Sequence, residues 1–144
     1  MEAILKLEKI LYEVPAKLRG MTHEFAEKRP APGKWSRKEI MGHLIDSAFN
    51  NIQRFVRMQL SKHQDLLQYE QNGWVAVQNY QDMDWNRIVD LWQDLNRHIV
   101  HIWKNMDPSA LSNTGTFPDY GTQTLQFIID DYVVHMEHHL KAVL

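Results

Sequence analysis

A chain of 144 residues, 44% hydrophobic and 24% charged, has the size and composition of one folded domain, which excludes a disordered tail or a fibrous repeat. Its formal charge of -2, from 16 basic and 18 acidic residues, excludes the basic footprint of a typical nucleic-acid binder. It has no cysteine, so thiolate zinc sites, disulfides and a cysteine nucleophile drop out together.

The opening segment MEAILKLEKILYEV mixes charges into its apolar residues and has no core of signal-peptide type. No apolar run approaches the roughly 20 residues needed to cross a bilayer, so a cytoplasmic protein without a membrane span is expected. Ile4, Leu7, Leu11, Val14, Leu18 and Met21 recur at spacings of three and four, the seam of a first helix. Pro15 removes a backbone donor inside it, and a bend or break is expected near Glu13 and Val14. Gly20 is a stop signal, followed by a short turn over Thr22 to Glu27 and the Pro30-Ala31-Pro32-Gly33 loop.

Ser36 stands three residues before Glu39, the pattern of a capping box, and opens a second helix. Its apolar face runs through Met41, Leu44, Ala48, Ile52 and Phe55 to about Leu60. A connection from about Gln64 to Met83 carries Tyr69, Trp74, Val75, Val77 and Tyr80, and connections this long are usually ordered over a site. Asp84 caps a third helix with the seam Trp85, Ile88, Trp92, Leu95, Ile99, Ile102 and Met106, stopping at Asp107-Pro108. Ser109 to Gly121 is rich in turn residues, and Thr122 is expected to open a fourth helix with Leu125, Ile128, Tyr132, His135 and His139 along one face. No segment shows clear strand alternation. The expected fold is all-α, a four-helix bundle with long connections, in one domain over residues 1–144.

Eight histidines are present, an unusual number, and most fall in two clusters. His135 and His139, four apart, share a helix face one turn apart and continue the apolar seam, so both imidazoles are expected to face the bundle interior. Burying two imidazoles without partners is costly. A shared metal ion satisfies both; so do hydrogen bonds to backbone or carboxylates. His43 lies on the shoulder of the second helix, with Ser47, Asn51 and Arg54 along the same ridge. That ridge lines a cavity in one reading and faces solvent in the other. His98 and His101 flank the third helix's seam without occupying it, and His138 points about 100° away from His139.

The segment PGKWSRKEIMGHLIDSAFNNIQRF, followed by YEQNGWV, LWQDLN and then DYVVHMEHHL, resembles the DinB/YfiT-like superfamily of metalloenzymes, and the correspondence runs in order along the whole chain. The resemblance implies a four-helix bundle, often a homodimer. It also implies a metal site of one histidine from the second helix and two from the last, here His43, His135 and His139. Family members include transferases that use low-molecular-weight thiols, metal-dependent isomerases acting on thiol adducts, and proteins of no assigned activity.

Three neutral imidazoles leave a coordination position open on a divalent transition metal such as zinc or nickel, the arrangement of a catalytic site. With the chemistry that the resemblance implies, the expected function is a metal-dependent S-transferase or hydrolase acting on a small molecule. Any thiol must come from a cosubstrate, because the chain has no cysteine. The alternative is a non-catalytic, stress-related bundle that binds a metal or ligand. Asn51 and Arg54 are candidates to orient substrate, Arg54 alternatively forming a salt bridge. Tyr132 is a candidate hydrogen-bond donor near the metal or a core residue with its hydroxyl satisfied. Tyr69 and Trp74 either fold over the open side or plug the bundle end. Asp46 lies almost opposite Leu44 on the helical wheel, and a direct catalytic role is not expected for it unless another helix covers it.

Overall fold

Each apolar seam read from the sequence becomes a long helix in the computed structural model, which describes residues 1–144. In chain order the elements are α1 (Glu2–Arg19), α2 (His23–Glu27), α3 (Arg37–Leu60), β1 (His63–Asp65), α4 (Gln71–Gln78), α5 (Trp85–Lys104), β2 (Thr114–Phe117), β3 (Gly121–Thr124) and α6 (Leu125–Val143), with short 3-10 turns at Tyr80–Asp82 and Pro108–Ser112. The bundle consists of α1, α3, α5 and α6. Both α1 and α3 pack against α5 and α6, which places α1 and α3 on opposite corners.

The helix starts follow from their capping chemistry. Ser36 accepts the Glu39 amide while the Glu39 carboxylate accepts the Ser36 amide, completing the capping box of α3. Asp84 caps α5 by accepting the Arg87 amide. The core between the helices is built around Trp85, Trp92, Trp103 and Phe55, all essentially inaccessible. Trp85 also donates its indole N–H to the Leu18 carbonyl at 2.7 Å, pinning α5 to the end of α1.

Three expectations are corrected. Pro15 does not break α1, which runs unbroken from Glu2 to Arg19 with Val14, Pro15 and Leu18 buried; packing against α5 and α6 offsets the one backbone bond the proline removes. The fourth helix starts later than Thr122. Thr124 is its cap, accepting the Phe127 amide, and Thr122 belongs to a strand. Strands are present: β1 pairs in parallel with β2, and β2 pairs antiparallel with β3, in register Gln64 to Gly115 and Gly115 to Gln123. Gly115 gives the Leu66 side chain room to lie over the centre of this sheet, since a Cβ there would lie 2.3 Å from Leu66 Cδ1. The sheet ties the end of α3 to the start of α6 and raises Phe117 and Tyr120 beside the bundle.

The long connection after β1 also folds. Glu70 caps α4, and α4 with the following turn covers the outer side of α3. Residues 41–48 of α3 are consequently buried all the way round. Gly42 makes this approach possible, because a Cβ at that position would lie 2.2 Å from the Tyr80 ring.

Candidate metal centre

Three imidazoles converge where α3 meets α6. One ring nitrogen from each of His43, His135 and His139 lies within 4.8 Å of the others. His43 Nε2 and His135 Nε2 are 3.2 Å apart, and the ring of His139 packs edge-on against both, with centroids at 4.6 Å. Ligand nitrogens of a tetrahedral site with metal–nitrogen bonds of about 2.0–2.1 Å lie about 3.3–3.4 Å apart, so the His43–His135 edge fits one ion shared by the rings. No carboxylate joins the cluster.

Burial, followed by the neighbouring rings of His135 and His139, pushes His43 down to about 3. Burial, then His135 and His138, lowers His139 to about 4, and burial and His138 lower His135 as well. All three are therefore neutral at pH 7 and present lone pairs, the form a metal requires. His43 Nδ1 is buried and has no hydrogen-bond partner, and the only polar contact of its Nε2 is with His135 Nε2.

The structure decides between the two readings of His43 and moves His135 and His139 from the interior to its edge. His43, placed on a shoulder, is fully inaccessible, because α4 closes the outer side of α3 and Trp35 covers the ring with centroids 5.1 Å apart. The core seam of α6 passes instead through Leu125, Ile128, Tyr132, Met136, Leu140 and Val143, leaving His135 and His139 half-buried at its edge. The triad is thus anchored from within α3 and reached from the α6 side.

A cleft of about 460 Å³ opens beside His135, walled by Ser47, Asn51 and Arg54 from α3, Tyr69 from the connection, Phe117 and Tyr120 from the sheet, and Ile128 and Tyr132 from α6. A family model described as the DinB superfamily matches residues 7–143. The chain belongs to the DinB superfamily. Among its relatives, a candidate metal-dependent hydrolase of Halalkalibacterium halodurans is 24% identical over 137 residues, which cover 90% of this chain and 78% of that protein. The candidate metal-dependent hydrolase YfiT of Bacillus subtilis is 25% identical over 139 residues, 93% of this chain and 78% of that one. The solved structure of Bacillus subtilis YfiT, described as a probable metal-dependent hydrolase with an unusual four-helix bundle topology, superposes with a TM-score of 0.88 at 20% identity, covering 99% of this chain and 82% of that one.

Within this DinB-superfamily chain the other candidates are distributed unevenly. The Tyr132 hydroxyl, whose pKa burial pushes up, donates to Asn96 Oδ1 at 2.7 Å, the core arrangement of the two the sequence allowed. Asn51 donates to the Ser47 carbonyl at 2.8 Å and accepts from Arg54 at 3.4 Å, so its amide is spent on orienting its neighbours. Arg54 forms no salt bridge. Tyr69 walls the cleft and Trp74 packs on its ring at 5.3 Å. His98 and His101 stack on each other at the surface of α5, outside the cluster.

The cover that the sequence reading required before Asp46 could matter is present, and the partners of Asp46, Tyr80 and Gln78, could not be read from the sequence. This carboxylate is fully buried; Oδ1 accepts from the Tyr80 hydroxyl and from Gln78 Nε2, both at 2.7 Å, while Oδ2 has no partner. Burial raises its pKa against the opposing effect of those two donors. Gly42, four residues earlier on α3, was the available signal, since a glycine inside a helix often marks a close approach.

Proposed function

We propose that this chain is a metal-dependent hydrolase in which His43, His135 and His139 hold one divalent transition metal, zinc or nickel, at the end of the cleft. The convergence of three neutral imidazoles beside a cleft of ligand size carries this reading. An ion held by these three imidazoles would supply Lewis acidity to a substrate in the cleft.

The chain's own residues bind, orient and exclude water. Trp35 seals the His43 side against solvent, and the Tyr132–Asn96 bond fixes the cleft floor. Asn51 holds the ridge of α3 in register between the triad and Arg54. The names of the relatives, metal-dependent hydrolases, support hydrolysis over other chemistry at this centre. Transfer to a low-molecular-weight thiol uses the same triad and calls for the same test.

That test is a panel of 4-nitrophenyl esters and amides with metal-loaded protein, chelated protein and His139→Ala. Hydrolysis seen only with metal and intact His139 supports the proposal. Turnover that requires an added thiol and ends in a thioether product replaces it with S-transfer. No turnover of either kind leaves the non-catalytic binding protein.

The stripe of Phe49, Val56 and Leu60, exposed on α3 at spacings of seven and four, supports a homodimer as part of this proposal. Sedimentation equilibrium reads it directly.

A further inference from the structure

Arg54 is the one cation of the cleft wall that has no acidic partner. Its guanidinium is half-buried, lying 4.8 Å from the Phe117 ring centroid and 5.8 Å from that of Tyr69. It donates to the Leu67 carbonyl at 3.1 Å and to Asn51 Oδ1 at 3.4 Å. Two of its five N–H groups are thereby used, and the others have no acceptor in the protein. Desolvation lowers its pKa from the ordinary arginine value. A desolvated guanidinium lying against two aromatic rings on the wall of a cleft, with donors to spare, has the form of an anion receptor.

The position along α3 gives the receptor a distance. Arg54 lies eleven residues beyond His43, three helical turns, so both stand on one ridge about 16 Å apart at the backbone. Ser47 and Asn51 fill the turns between them, and His135 lies on the same cleft. The surroundings set the charge. Asp131 stands on the opposite wall, the lining contains no lysine and no second arginine, and much of the remaining wall is aromatic. A dianion would meet one guanidinium and one opposing carboxylate; a carboxylate on an apolar body meets a single bidentate partner.

We propose that Arg54 is the specificity-determining residue of the cleft, and that the substrate is a small, partly apolar molecule carrying one carboxylate at the end remote from the hydrolysed bond. Calling this ligand a substrate rests on the hydrolase reading; the carboxylate subsite is tested apart from it.

The test is calorimetric titration of the full chain, as purified and after chelation, with 3-phenylpropionate, its neutral amide 3-phenylpropanamide, and phenyl phosphate. The wild type should bind 3-phenylpropionate at least tenfold more tightly than the amide in both metal states. Arg54→Met keeps the apolar stem against Phe117 and should abolish that preference, while Arg54→Lys should keep part of it; circular dichroism confirms that both variants remain folded. Equal binding of acid and amide by the wild type overturns the proposal, as does a preference that survives in Arg54→Met. Tighter binding of phenyl phosphate than of 3-phenylpropionate overturns the carboxylate assignment. Ester hydrolysis by the loaded protein is scored separately and decides only the hydrolase reading.

Discussion

His43 Nε2 and His135 Nε2 meet at 3.2 Å across the interface of α3 and α6. One ring is fully buried and the other stands at the edge of the cleft, so the contact joins the rigid interior of the bundle to its accessible side. A ligand held at this point binds both helices at once. That relationship makes the histidines a thermodynamic link between folding and metal, and several outcomes follow from it and from its surroundings.

Metal should stabilise the fold without being required for it, because the apolar seams already close a continuous core. At free metal a hundredfold above Kd the gain is about 2.7 kcal/mol. Thermal unfolding of wild type should shift upward on adding zinc or nickel and fall back on chelation. His139→Ala should remain helical and show no shift.

Acid should destabilise the metal-free protein. Unfolded histidine titrates near about 6.5, whereas the folded chain holds His43 at about 3 and His139 at about 4. As pH falls from about 6.5 toward about 4, the unfolded chain takes up protons that these rings do not, and stability is lost through that window; above it the contribution is fully present. Urea midpoints of chelated protein should decline from pH 7 to pH 4.5, and the decline should be shallower in a His43→Gln/His139→Gln variant. A flat wild-type profile would contradict the buried, neutral triad.

Asp46 carries the opposite sign. Its folded pKa is raised, so the ionised carboxylate opposes folding at neutral pH and the penalty disappears in acid. Asp46→Asn keeps an acceptor for Tyr80 and Gln78 and should raise the melting temperature at pH 7 but not at acid pH. Asp46→Ala leaves the Tyr80 hydroxyl without its acceptor on that carboxylate and should lower it at both.

Gly42→Ala tests the covering of α3 by α4. The new methyl group would sit 2.2 Å from the Tyr80 ring, displacing that ring and its bond to Asp46. Overpacking of this kind typically costs about 1–3 kcal/mol. Calorimetry should show a fall of several degrees despite alanine's better helix propensity, and a rise would show that Tyr80 moves aside freely.

Tyr132→Phe separates architecture from chemistry. It strands the buried Asn96 Oδ1, a loss of about 1–3 kcal/mol. Melting should report that loss while hydrolytic kcat stays within a few-fold of wild type. A collapse of kcat in folded protein would return the hydroxyl to the reaction.

Much of the bundle was legible because long helices repeat their signal. The α5 seam repeats its inward face at Trp85, Ile88, Trp92 and Ile99, and the Ser36–Glu39 pair marks the α3 start to the residue. The sheet was not legible: its strands are three or four residues long, and β1 reads His63-Gln64-Asp65, polar throughout, so no alternation can be seen. The histidine positions were found from helical spacing and the family resemblance; the burial of His43 was left open, and His135 and His139 lie nearer the surface than their seam spacing implied. A wheel drawn for one helix cannot show that α4 closes the outer side of α3, which buries His43 and Asp46 together. Arg54 was legible as a ridge residue; its aromatic neighbours Phe117 and Tyr69 arrive from distant segments of the chain.

The most direct test of the metal centre is elemental analysis of protein purified without chelator or affinity-tag histidines, comparing wild type with His43→Ala and His139→Ala. About one zinc or nickel per wild-type chain is expected, absent from both variants while circular dichroism shows them helical. Wild type that takes up no metal after reconstitution, or variants that retain it in full, would contradict a site built on His43, His135 and His139.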